Sequence, residues 1–128
     1  MNFYRFPKVI ISRTISEHAG EPGGEGSFKL FAKIMILNPG EVCTHSYLVI
    51  GCFNTIEEAK SLYSYLSTKF VRFLVLQVVS GIDLSKNRFD FVPLQKWSRK
   101  YEDIELYKKY ELDNDEIDYI ENVIRPME

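Results

Sequence analysis

Apolar and polar positions change their period along this chain. Phe28, Leu30, Ala32, Ile34 and Ile36 alternate with Lys29, Phe31, Lys33, Met35 and Leu37. That period of two predicts a strand over 28–37, with the even positions buried and Lys29 and Lys33 on the opposite face. Lys8-Val9-Ile10-Ile11-Ser12-Arg13 is a shorter β-branched run of the same kind. Between these runs, residues 17–26 hold four glycines and a proline and read as a long loop. Asn38-Pro39-Gly40 marks a turn. Ser46-Tyr47-Leu48-Val49-Ile50-Gly51 follows, apolar on both faces, and predicts a third strand at the centre of a mostly antiparallel sheet.

From Thr55 the period becomes helical. Thr55-Ile56-Glu57-Glu58 has the form of a capping box, with hydroxyl and carboxylate each satisfying the other residue's amide. Ala59, Leu62, Tyr63 and Leu66 continue at helical spacing. Ser67 or Thr68 then caps a second helix whose apolar stripe is Phe70, Phe73, Leu74, Gln77 and Val78, with Lys69 and Arg72 off the stripe and exposed. Arg88-Phe89-Asp90-Phe91-Val92-Pro93 returns to alternation, and Pro93 confines it to an edge or a strand end. Two short helices are expected near Asp103 to Tyr110 and Asp115 to Ile124. The pattern predicts an α+β domain, in which a mostly antiparallel sheet from the N-terminal half packs against a helix pair, followed by a short edge strand and an acidic helical tail. One domain spans 1–128: strand-rich 1–53, helix pair 55–80, strand 86–94 and helical tail 102–125.

Length and composition support this. A chain of 128 residues, 45% apolar, builds one ordinary core and excludes a multidomain enzyme. Its longest apolar run, Phe73 to Val79, is interrupted by Gln77 and falls far short of the roughly 20 residues that span a bilayer. Residues 1–13 lack the pattern of a secretion signal. Cys43 and Cys52, with no CxxC pair and no His/Cys cluster around them, read as reduced thiols, and the expected location is the cytoplasm. The net charge of −2 divides unevenly along the chain. Residues 1–100 carry 13 Lys and Arg against 8 Asp and Glu, and residues 101–128 carry 3 against 10. A basic body with an acidic appendage suits a surface for polyanions.

Catalytic constellations are missing from the sequence. His18 and His45 lie at no metal-ligand spacing, and no HExxH, GxSxG or phosphate-binding loop occurs. The glycine-rich segment 20–26 carries Glu21 and Glu25, which repel phosphate, and lacks the lysine that a phosphate loop needs. Glu58 and Lys60 resemble the end of a metal-dependent nuclease signature, but the capping role accounts for Glu58. Asp113, Asp115, Glu116 and Asp118 lack the glycine and the final carboxylate of a calcium loop, and suit the start of a helix.

Basic and aromatic groups remain. Arg13 closes the first strand, Lys69 and Arg72 stand one turn apart, and Lys86, Arg88, Lys96, Arg99 and Lys100 flank Trp97. Such groups contact a phosphate backbone, while Gln95 or the Arg13 guanidinium can read a base edge. Each also has a plainer reading, as a solvated surface charge or, for Trp97, a lid on the core. The acidic second tail helix, with Asp115, Glu116, Asp118 and Glu121, is unsuited to a DNA groove.

A series of blocks resembles a known family. They are residues 40–51, Phe53-Asn54-Thr55-Ile56-Glu57-Glu58-Ala59, residues 65–74, Phe91-Val92-Pro93-Leu94-Gln95, Glu105-Leu106-Tyr107-Lys108-Lys109-Tyr110 and Ile120-Glu121-Asn122-Val123-Ile124-Arg125-Pro126-Met127. In this order they resemble the C-terminal, target-recognition-like region of bacterial restriction-modification proteins: adenine-specific DNA methyltransferases and bifunctional type II restriction enzymes. The likeness runs from about Lys8 onward. It implies a non-catalytic DNA target-recognition domain that grips double-stranded DNA for a methyltransferase or nuclease domain in the same parent protein. S-adenosylmethionine and Mg2+ would belong to that parent, with no cofactor or metal in this chain. The family's Asn-Pro-Pro-aromatic motif is missing, since Asn38-Pro39-Gly40 lacks the second proline and the aromatic, so catalysis does not carry over. Where related proteins continue with acidic or aromatic residues after the Phe-Val-Pro-x-Gln block, this chain has Lys96-Trp97-Ser98-Arg99-Lys100. Met1 suggests the start of an excised fragment or a truncated frame, and Pro126-Met127-Glu128 a natural end. The DNA-binding residues expected are Arg13, Lys69, Arg72, Lys86, Arg88, Gln95, Lys96 and Trp97. The alternative is a protein-interaction module that docks on its methyltransferase or a partner subunit through the acidic tail.

Overall fold

The structure, a computed structural model, describes residues 5–14, 28–78, 89 and 92–127. Three strands, β1 (Lys8–Ser12), β2 (Ile34–Leu37) and β3 (Tyr47–Cys52), form an antiparallel sheet in the order β2-β1-β3. Four helices follow among the described residues: α1 (Ile56–Leu66), α2 (Lys69–Leu76), α3 (Asp103–Lys109) and α4 (Asn114–Val123). The α+β class expected from the periodicity is the class observed. None of the helices is long and apolar enough to cross a membrane. Cys43 and Cys52 are free thiols, both half-buried.

The central strand differs from expectation. It is β1, buried from Lys8 through Ile11, whereas β3 lies at an edge and is mostly half-buried. A run apolar on both faces marks burial on both faces, and Val9-Ile10-Ile11 meets that criterion better than Tyr47–Cys52. Ile10 faces Met35 on one side and Val49 on the other, with a shift in register between Val9 and Ile10.

The strand expected over 28–37 is split. Only Ile34–Leu37 joins the sheet. Phe28 instead pairs in parallel with Ile124, donating to the Val123 carbonyl at 2.6 Å and accepting from the Arg125 amide at 2.9 Å. Leu30 then turns the chain with φ of 70°, a conformation that costs an L residue about 1 kcal/mol or more. Its side chain is fully buried, which contributes about 1.5–3 kcal/mol and offsets strain of this size. Burial does not follow the expected alternation: Phe31 and Leu37 are buried together with Leu30 and Ile34, whereas Phe28, Ala32 and Ile36 are half-buried, because the turn at Leu30 interrupts the strand.

Helix α1 packs across all three strands and α2 packs on α1, α3 and α4. Thr55 caps α1 through the full box with Glu58, as the sequence predicts, and Thr68 caps α2 by accepting from the Val71 amide. The buried face of α2 consists of Phe70, Val71, Arg72 and Val75, with Phe73 and Leu74 half-buried and Gln77 exposed. The expected stripe is therefore rotated. The less buried positions, Lys69, Phe73, Leu74, Leu76 and Gln77, share one side of α2, but three of the five are apolar, so the sequence periodicity does not single that side out. Half of the alternation expected over 88–93 lies outside the described residues. Phe89 and 92–94, which are described, form no strand.

Candidate nucleic-acid interface

Of the eight residues expected to touch DNA, Arg72 is the clearest departure. It is 1% exposed, not solvent-facing. Its Nε donates to the Thr68 carbonyl at 3.1 Å, Nη2 to Ser67 at 3.0 Å, and Nη1 to both Lys29 at 3.1 Å and Arg125 at 2.6 Å. This fork satisfies carbonyls at the α1–α2 junction, in the loop before β2 and in the C-terminal segment. A phosphate cannot reach it. Lys69, one turn away, is partly covered and its Nζ lies 2.9 Å from Glu121 Oε1, so its charge is already paired. Burial works against ionisation of Glu121, but hydrogen bonds from Lys69 and Tyr107 outweigh it and hold the carboxyl below its ordinary range.

Gln95 is also occupied. Its Nε2 donates to the Tyr110 hydroxyl at 2.7 Å and the Tyr65 hydroxyl at 3.2 Å, while its Oε1 accepts from Lys109 Nζ at 2.5 Å. An amide engaged at both ends is a poor base reader in this conformation. Burial pushes the Tyr65 hydroxyl up to about 12, the donation from Gln95 opposing this and the neighbouring Tyr110 and Tyr101 adding to it. Tyr65 is thus a neutral donor, to the Pro93 carbonyl at 2.7 Å. Trp97 is half-buried among aromatic rings, with centroids 5.6 Å from Tyr65, 6.3 Å from Tyr101 and 6.4 Å from Phe53. These contacts give Trp97 its place as a lid. Arg13 is exposed just after β1, with Nε donating to the His45 carbonyl at 2.7 Å. Lys86 and Arg88 lie outside the described residues.

The loop 96–100 brings positive charge together. It is tied to α1, because Ser61 Oγ donates to the Arg99 carbonyl at 2.5 Å and Ser64 Oγ accepts from the Tyr101 amide at 2.8 Å. Tyr101 adds a hydrogen bond from its hydroxyl to the Lys96 carbonyl. Lys96, Arg99 and Lys109 line a groove of about 520 Å³ with Gln95 and Ser98, and Lys100 is next along the exposed rim. Arg99 lies over the Tyr101 ring, 4.7 Å from its centroid, and pairs with Glu105, which raises the guanidinium pKa and lowers that of the carboxyl. Lys100 is 4.0 Å from Glu102 with both side chains mostly exposed, a separation that leaves its charge available. Lys109 is the member that sequence reasoning missed. It lies in the last turn of α3, where a cation complements the helix dipole, and nothing local announces that this turn returns to Gln95.

Among the described residues no group of three or more His, Cys, Asp and Glu gathers as metal ligands would. No protein-family model, curated protein or solved structure matches the chain.

Proposed function

We propose that this is a non-catalytic DNA-recognition domain, serving a methyltransferase or nuclease domain of a bacterial restriction-modification protein. The observation that carries the reading is the exposed basic rim of Lys96, Lys100 and Lys109, with Arg99 beside them already paired to Glu105, on a loop fixed to α1 through Ser61 and Ser64. A rim anchored in this way loses little conformational freedom when a phosphate backbone arrives, so more of the charge attraction appears as affinity. Lys109 uses one of its three N–H groups on Gln95 and has two left for phosphate. Phosphate contacts of this type set register and orientation but carry no sequence information.

Base reading falls to Arg13. Its Nε is committed to His45, which orients the guanidinium and leaves the terminal nitrogens for the paired acceptors of a guanine edge. Arg72 has no part in the proposed interface, Lys69 is secondary to it, and Trp97 acts by holding the basic loop. Arg13→Ala tests the assignment in a binding selection on randomised duplexes. The proposal expects total affinity to change little while sequence preference relaxes; a uniform drop across all sequences would make Arg13 a backbone-binding residue instead.

A further inference from the structure

The domain has a second surface of opposite character. Between α2 and α4 lies a groove of about 450 Å³, floored by Phe70, Phe73, Leu74, Leu112 and Ile120 and edged by Tyr119. Tyr119 is 60% exposed and stands edge-on to Phe73, with centroids 5.8 Å apart and planes at 87°. Asp115 and Glu116 form part of the rim. Residues 111–121 contain six carboxylates and neither lysine nor arginine. Glu121 is paired with Lys69, and Asp113 and Glu116 cap α4, whereas Asp115 and Asp118 are exposed and form no ion pair among the described residues. An open apolar floor with an anionic border repels nucleic acid and suits a ligand that is apolar and cationic together.

We propose that the groove between α2 and α4 is a docking site for an amphipathic helical segment of a partner protein, one that carries Lys or Arg beside its apolar face. Its apolar residues, spaced one turn apart, would cover Phe73, Leu74 and Tyr119, and its cations would face Asp115 and Asp118. Charge complementarity selects this occupant. The inference is independent of the DNA reading, since the groove shares no residue with the basic rim.

The test is a titration of the full chain with a labelled helical peptide of leucine and lysine, and with its counterpart carrying glutamate for lysine. The Leu/Lys peptide is expected to bind one to one and the Leu/Glu peptide not to bind. Tyr119→Ala and Asp115→Lys should each weaken binding about tenfold at a temperature where both variants remain folded, although each lowers the melting temperature slightly through the lost ring contact or the cation placed in the first turn of α4. Absence of binding overturns the proposal, as does binding indifferent to both variants, because the peptide would then sit elsewhere on the chain. A concentration-dependent dimer abolished by Tyr119→Ala would assign the groove to a second copy of the chain and overturn it equally. DNA affinity of the same variants is a separate reading and should not fall.

Discussion

Arg72 and Arg125, 53 residues apart, meet through a 2.6 Å hydrogen bond from the guanidinium of one to the backbone carbonyl of the other. The bond ties α2 to the segment in which Ile124 pairs with Phe28, and the same nitrogen reaches Lys29. One buried cation thus joins the sheet-side loop, the central helices and the C-terminal segment. Removing it takes the guanidinium donors away from four carbonyls at this junction, each costing about 1–3 kcal/mol where no other donor takes their place. Arg72→Ala should therefore destabilise the fold by at least about 3 kcal/mol, read as a lower urea midpoint. Arg72→Lys should recover only part of this, because an ammonium cannot reproduce the planar fork. An unchanged midpoint with weakened DNA binding would restore Arg72 to the surface role that its sequence position suggests.

Asp103 is predicted to act on a helix other than its own. Its carboxylate accepts from the amides of Lys69 at 3.1 Å and Phe70 at 2.8 Å, so the first residue of α3 covers the N-terminus of α2. Asp103→Ala should cost about 1–2 kcal/mol, in the range of a removed N-cap, and Asp103→Asn less. Thermal unfolding of the two variants decides this; equal and negligible shifts would show that water replaces the cap.

Alkaline pH should destabilise the domain. Burial raises the Tyr65 pKa to about 12 and, with the hydrogen bond to Glu121, raises that of Tyr107 as well. Unfolded tyrosines ionise near pH 10. Above that value the native state holds protons that the unfolded state has released, so stability present below about pH 10 declines as pH rises toward about 12. Tyr65→Phe should flatten this decline in melting experiments, at the expense of the bond to Pro93. At the acid end Glu121 has the opposite sign. Its lowered pKa gives stability that is complete above the usual carboxylate range and lost as pH falls through the folded value. Lys69→Met should reduce that acid sensitivity.

Sequence pattern and structure agree where the signal is local. The Thr55–Glu58 box begins α1, Asp113 and Glu116 begin α4, and the run at Lys8 becomes β1. They diverge where distant segments decide the outcome. Phe28 leaves the sheet because Ile124 offers a partner, and Arg72 is buried because three sets of carbonyls converge on it. Neither partner is visible at its own position in the chain. The candidate interface follows the same division. The cluster Lys96, Arg99 and Lys100 is legible as a charged run, whereas the addition of Lys109 and the diversion of Gln95 into a tyrosine network depend on how α3 packs.

The central claim, a phosphate-binding rim on the 96–100 loop and α3, is tested most directly by fluorescence anisotropy with a random-sequence duplex across a salt series. The wild type is compared with the triple variant Lys96→Ala/Lys100→Ala/Lys109→Ala, with unchanged melting as the control. The account predicts wild-type binding whose log affinity falls linearly with log salt, and a slope flatter by about 2–3 in the triple variant, since each phosphate that a lysine neutralises adds about 0.9. Lys69→Ala, already paired with Glu121, should leave the slope almost unchanged. No binding at low salt, or a triple variant indistinguishable from wild type, would contradict it.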